Sequence, residues 1–85
     1  MDRLSGLMAF ARTAELGSFV AAGRALGISA SAVGKSVARL EQELGVRLLQ
    51  RSTRRIGLTE EGGLFNERVR RILDDIDDAE AMLSR

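Results

Sequence analysis

Lys35 and the run Arg51-Ser52-Thr53-Arg54-Arg55 carry the chemistry this chain has most of. A lysine ammonium is a point charge for a phosphate or a guanine edge. Clustered guanidinium groups are planar forks that suit phosphates or the enhanced negative potential of a narrow minor groove. Ser18 and Ser29 each stand where a helix starts, and free N–H groups at such a start can also hold a phosphate. Their simpler role is capping. Other chemistries lack their residues. The chain has no cysteine and no histidine. That removes disulfides, thiolate or imidazole zinc sites, and catalysis by either residue type. There is no nucleophile–base pair, metal-ligand cluster or glycine-rich phosphate loop, and the acids at 74–80 read as the solvated side of a helix. The reading is a non-enzyme without cofactor or metal.

The elements that must position those side chains follow from period and punctuation. Leu4, Leu7, Met8, Ala11 and Ala14 recur at helical spacing with Phe10 beside them, after a capping Asp2 and before a stop at Gly17. Ser18 opens a short helix from Phe19 to Leu26, ended by Gly27. Ser29 caps a third helix, and Ile28 and Val33 have the spacing of a hydrophobic staple across that cap. Val33, Val37, Leu40 and Leu44 form its inner stripe, and Gly45 ends it. At 100° per residue the opposite face is Ser31, Lys35, Ala38 and Gln42, with Gly34 and Arg39 at the flanks. Small residues around one long cation let a helix lie deep in a major groove. Gly34 in mid-helix costs about 1 kcal/mol relative to alanine, and a close approach would explain it. Val46–Gln50 and Ile56–Leu58 then read as a small hairpin whose tip is the arginine run.

Thr59 caps a long fourth helix with Glu60 and Glu61 in its first turn. Gly62 and Gly63 run against a helix start, and nothing in the sequence explains them. Phe65, Val69, Ile72, Ile76, Ala79 and Leu83 step by four and three in a strict heptad seam, which suits one partner helix. The alternative is a helix folded back on its own domain; the length of the stripe favours a second copy.

Eighty-five residues make one small domain with a modest core. The net charge of +1 hides an asymmetry. Residues 1–58 carry nine Lys/Arg against four acids, a balance of +5, and residues 59–85 carry four against eight, a balance of −4. No apolar run spans a bilayer and no signal segment opens the chain, so a cytoplasmic setting without a membrane partner is expected.

With these residues in view, the chain resembles the N-terminal domain of LysR-type transcriptional regulators. LMAFARTAELGSFVAAGRALGIS, SAVGKSVARLEQELGVRLLQRSTRRIGLTEEG and the following long helix carry the resemblance over nearly the whole chain. It implies a mainly α fold: a winged helix-turn-helix head of three helices plus a small β-hairpin wing (1–58), then a long linker and dimerisation helix (59–85). It also implies a bacterial, sequence-specific regulator that binds double-stranded DNA as a homodimer through antiparallel linker helices. In a full-length protein a C-terminal effector-binding domain and a small-molecule inducer would follow; on this reading that domain is absent, and the chain is an excised domain or a naturally short protein.

Carried over by position, the resemblance makes Ser29–Leu44 the reading helix. Its usual glutamine after the capping serine is Ala30 here, and its usual serine before the basic residue is Gly34; Lys35 keeps the basic position, and Arg51, Arg54 and Arg55 match the wing arginines. Those departures shift direct readout toward Ser31, Lys35 and Ser36 and shape readout toward the wing. The candidate DNA-binding set is therefore Ser18, Ser29, Ala30, Ser31, Gly34, Lys35, Ser36, Arg39, Arg51, Ser52, Arg54 and Arg55. The rival readings are another winged-helix regulator, such as the molybdate-responsive type, and a helical protein-interaction module that leaves the arginine tip unexplained.

Overall fold

The computed structural model describes residues 3–51 and 56–83. Its element order is α1 (Arg3–Leu16), α2 (Phe19–Leu26), α3 (Ala30–Leu44), β1 (Leu49–Gln50), β2 (Gly57–Leu58) and α4 (Glu60–Ala81). The expected Asp2 cap lies outside the described residues.

Three helix starts are capped by the expected hydroxyls. Ser18 Oγ accepts from the Ala21 N–H at 3.1 Å, Ser29 Oγ from Ala32 at 3.0 Å and Thr59 Oγ1 from Gly62 at 2.9 Å. Each such cap stabilises its helix by about 1 kcal/mol. Gly27 and Gly45 end α2 and α3 at φ 76° and 71°, a left-handed conformation that any side chain would strain.

The core lies where α1, α2 and α3 meet, closed from below by Leu48 and Leu49. Val33, Val37 and Leu40 are buried as the inner stripe requires, with Leu44 partly buried beside them. On α1 the buried face is Gly6, Ala9, Phe10, Ala11 and Thr13, whereas Leu4 and Met8 of the helical repeat stay exposed. The physical reason is that α1 packs on α3 through Gly6, where an added Cβ would touch Leu40, while its Leu4–Met8 side faces α4.

The helix-turn-helix is closed by backbone. Gly23 accepts from the N–H groups of Gly27 and Ile28 at 2.7 and 3.0 Å, and a Cβ on it would sit 2.5 Å from the Ile28 carbonyl oxygen. The turn therefore seats its main chain on α2, and the Ile28 side chain is left 44% exposed instead of stapling inward on Val33.

The hairpin is shorter than the expected Val46–Gln50 and Ile56–Leu58, with β1 confined to Leu49–Gln50 and β2 to Gly57–Leu58. Its ladder is antiparallel and pairs Leu49 with Leu58 and Gln50 with Gly57. Strand β1 is tied at its start to α3 and α4, so Val46 and Arg47 form an exposed connection.

Helix α4 has two regimes. Phe65 stacks at 5.8 Å and 41° on Phe10, and Val69 is fully buried against the head. Beyond it Ile72 and Ile76 are 48% and 36% exposed, and Ala79 and Leu83 are open to solvent. The predicted seam is therefore split: its first two members pack on the head, and the last four lie largely open among the described residues, with Ile76 lining a groove toward α1. Leu73, outside the heptad, is half-buried and lines an open groove of about 350 Å³ with Leu4, Met8 and Ala11 of α1.

Candidate nucleic-acid interface

The exposed face of α3 follows from its buried one. With Val33, Val37 and Leu40 turned inward, Ser31, Lys35, Ala38, Arg39 and Gln42 are all exposed. Among the described residues neither Lys35 nor Arg39 has an ion-pair partner, so both cations are available to an anion. By contrast Arg3 pairs with Glu43 at 3.1 Å and Arg12 with Glu15 at 2.9 Å. The helix N-terminus adds its first-turn N–H groups beside an exposed Ser29, whose hydroxyl already serves Ala32. Ser18 is half-buried and its hydroxyl is likewise used by Ala21.

Three of the candidates sit differently. Gly34 is half-buried, and a Cβ there would meet the Phe19 ring at 3.4 Å, an ordinary van der Waals distance, so the position faces the α2–α3 contact rather than an open groove. Ser36 is half-buried on the α1 side, where its carbonyl lies below Gly6. Ala30 is half-buried at the first helical position. Ser52, Arg54 and Arg55 lie outside the described residues.

Arg51 is the wing arginine within them, and it points to a residue that the sequence left unnoticed. Glu41 sits on the flank of the inner stripe with its side chain 8% exposed. Its Oε2 accepts the N–H groups of Leu48 and Leu49 at 2.8 and 3.0 Å, and its Oε1 accepts Arg51 Nη2 at 3.1 Å. Burial pushes its carboxyl up, but those two backbone bonds and the Arg51 cation outweigh it and hold the group below its ordinary value. The Arg51 guanidinium also lies 5.8 Å from the centroid of the Phe19 ring, in reach of a cation–π contact. The available sequence signal is an acid one step after Leu40, on the flank of the inner stripe.

Residues 4–63 match the profile of the bacterial regulatory helix-turn-helix proteins of the lysR family. The chain belongs to that family. Over 83 residues it is 46% identical to the HTH-type transcriptional activator AaeR of Escherichia coli K12, covering 98% of this chain and 27% of that protein. Over 74 residues it is also 46% identical to the probable hydrogen peroxide-inducible genes activator of Mycobacterium xenopi, covering 87% and 39%. The chain thus spans well under half the length of these curated relatives. Among solved structures it is similar to the BenM DNA-binding domain in complex with benA site 1 DNA, at TM-score 0.89 and 32% identity over 100% of this chain and 94% of that one. It is equally similar in extent to the CbnR DNA-binding domain in its DNA complex, at TM-score 0.81 and 36% identity over the full length of both. The four helices and the two-stranded hairpin are the winged helix-turn-helix of this family.

Proposed function

We propose that this chain is the DNA-reading part of a bacterial transcriptional regulator that binds a specific double-stranded site as a homodimer. The observation that carries the reading is the exposed face of α3. It offers Lys35 and Arg39, both without ion pairs among the described residues, on small neighbours at the open end of a capped helix. Its likeness to two domains solved on DNA supports the same use.

On this reading α3 enters the major groove, with Ser31 and Lys35 toward base edges and Arg39 and the α3 N-terminus toward phosphates. The wing arginines Arg54 and Arg55 reach the adjacent minor groove. Regulation rather than catalysis is the role, and the bacterial cytoplasm is where it is exercised. In a longer chain a C-terminal effector domain and its inducer would act through α4.

Dimerisation is supported by the unpartnered half of α4. Ile72, Ile76, Ala79 and Leu83 leave an apolar ridge beside exposed Leu4 and Met8, as a covered face would. The helix is also segregated by charge: Arg68, Arg70 and Arg71 precede Asp74, Asp75, Asp77, Asp78 and Glu80. Antiparallel pairing sets each basic stretch beside the other copy's acidic one, whereas parallel pairing would set like against like.

The test is a DNA titration at several salt concentrations, first with random genomic fragments and then with the preferred one. Sequence-preferring binding that weakens linearly in log–log salt is the expected result. Lys35→Ala should lower affinity and relax the preference. A dimeric protein that binds no duplex even at low salt would leave the protein-interaction reading in its place.

A further inference from the structure

Arg51 has a match among wing arginines, yet the fold turns it inward. Its side chain is only 30% exposed, against 69% for Arg47, whose Nε reaches Glu41 at no better than 4.0 Å. Side chains of two elements converge on its guanidinium. The Glu41 carboxylate comes from α3, and that same carboxylate holds the Leu48 and Leu49 N–H groups at the entry to β1. The Phe19 ring comes from the first turn of α2 and rests on Gly34 of α3. A buried carboxylate with two backbone bonds still needs a counter-charge, and Arg51 is the best-placed cation for it among the described residues.

We infer that Arg51 is a positioning residue rather than a DNA ligand: held by Glu41 and Phe19, it sets the angle between the reading helix and the wing. The inference rests on the DNA-reading role proposed above. Its physical content is a division of labour. The guanidinium locks α2, α3 and β1 into one body, and phosphate neutralisation is left to cations that have no internal partner. Arginine suits this place because a planar group can lie against a ring while its edge donates to a carboxylate, which an ammonium cannot do.

The two roles differ in their salt dependence. Each lost phosphate contact lowers the log–log slope by about 0.9, so a dimer losing two would lose roughly 1.8. A positioning residue leaves the slope in place and reduces only the preference for the right sequence. The experiment uses the whole 85-residue chain, the preferred duplex and a shuffled duplex of the same length, titrated at four salt concentrations. The variants are Arg51→Gln, Arg51→Lys and Glu41→Gln, each checked for its helical signal. Arg51→Gln should keep the wild-type slope and lose roughly tenfold of the sequence preference, a mismatch-sized loss. Arg51→Lys keeps the charge beside Glu41 and should fail to restore that preference, which keeps the inference open to refutation if the glutamine variant does not fold. Glu41→Gln, which frees Arg51, should likewise lower preference. A slope reduced by about two units in Arg51→Gln, full rescue by lysine, or tighter binding with a steeper slope in Glu41→Gln would each overturn the inference. Wild-type protein that binds neither duplex would instead refute the DNA reading beneath it.

Discussion

Gly62 and Gly63 are adjacent in the first turn of α4, and the structure assigns them opposite consequences for the same substitution. A Cβ built on Gly62 would overlap the Leu48 carbonyl oxygen, and it would lie 2.9 Å from that residue's carbonyl carbon and 3.1 Å from its Cα. All three are main-chain atoms, so no rotamer change relieves the contact. Relief requires α4 to withdraw from the wing, which also pulls on the Thr59 N–H bond to Leu48 O at 3.1 Å and the Thr59 hydroxyl bond to Arg47 O at 2.7 Å. Overpacking of this kind costs about 1–3 kcal/mol and sometimes more, and the loss of one of those bonds adds about 1 kcal/mol. The better helix propensity of alanine returns about 1 kcal/mol. The net expectation for Gly62→Ala is a loss of about 1–3 kcal/mol. At Gly63 nothing lies within 4 Å of an added Cβ. Gly63→Ala keeps the propensity term and gains about 0.5–1 kcal/mol.

Thermal melts followed by far-UV circular dichroism, at one fixed protein concentration because self-association would shift the midpoint, would read both. In a domain of this size 1 kcal/mol moves Tm by about 4–8 °C, so Gly62→Ala should fall by roughly 4–24 °C and Gly63→Ala rise by a few degrees. The reasoning is refuted if Gly62→Ala melts at or above the wild type, or if Gly63→Ala is the more damaging of the two.

Gly23→Ala should lower Tm by a comparable amount, because its Cβ would meet the Ile28 carbonyl and two further backbone atoms of the turn, and limited proteolysis would find the 27–29 turn newly open. Glu41→Gln should cost about 1–3 kcal/mol at pH 7 and should flatten the acid limb of stability. The sign follows from its lowered pKa: the wild type holds this contribution above the ordinary value of 4.5 and loses it as pH falls through the lower folded value, so the two proteins should converge in acid denaturation at low pH. Reversing Arg68, Arg70 and Arg71 to Glu should weaken self-association about tenfold in sedimentation equilibrium. Mixing that variant with one carrying lysines at Asp74, Asp75 and Asp78 should recover a mixed dimer, and recovery absent at low salt would count against antiparallel pairing.

Most of the frame was readable because local rules and tertiary packing agree in it. Ser18, Ser29 and Thr59 are capping residues placed before amphipathic runs, and all three accept from the expected first-turn N–H. The helices α2 and α3 keep the boundaries that Gly27 and Gly45 dictate. The reading was poorer wherever a residue answers to a contact far away in sequence. Gly62 and Gly23 look like helix weaknesses until Leu48 and Ile28 are set against them. On α1 the apolar spacing could not say which face would be covered, since that depends on where α3 and α4 dock.

The fourth helix shows why a correct period can still misplace a surface. Phe65 and Val69 obey the same heptad as Ile72 and Ile76, and nothing local separates the two pairs. What separates them is the reach of the head. With α4 anchored through Thr59 and Gly62 onto Leu48, only its first turns stay over Phe10, and Phe65 and Val69 fall there. At 1.5 Å per residue the remaining turns run past the head, consistent with a molecule 45 Å long and only 25 Å across. A wing held to α3 by Glu41 and to α4 by Leu48 therefore fixes the direction in which the unpartnered ridge leaves the reading head. On the proposed dimeric reading, a second copy that covers this ridge would inherit that direction, and contacts remote from DNA would then help set the spacing of the two α3 helices.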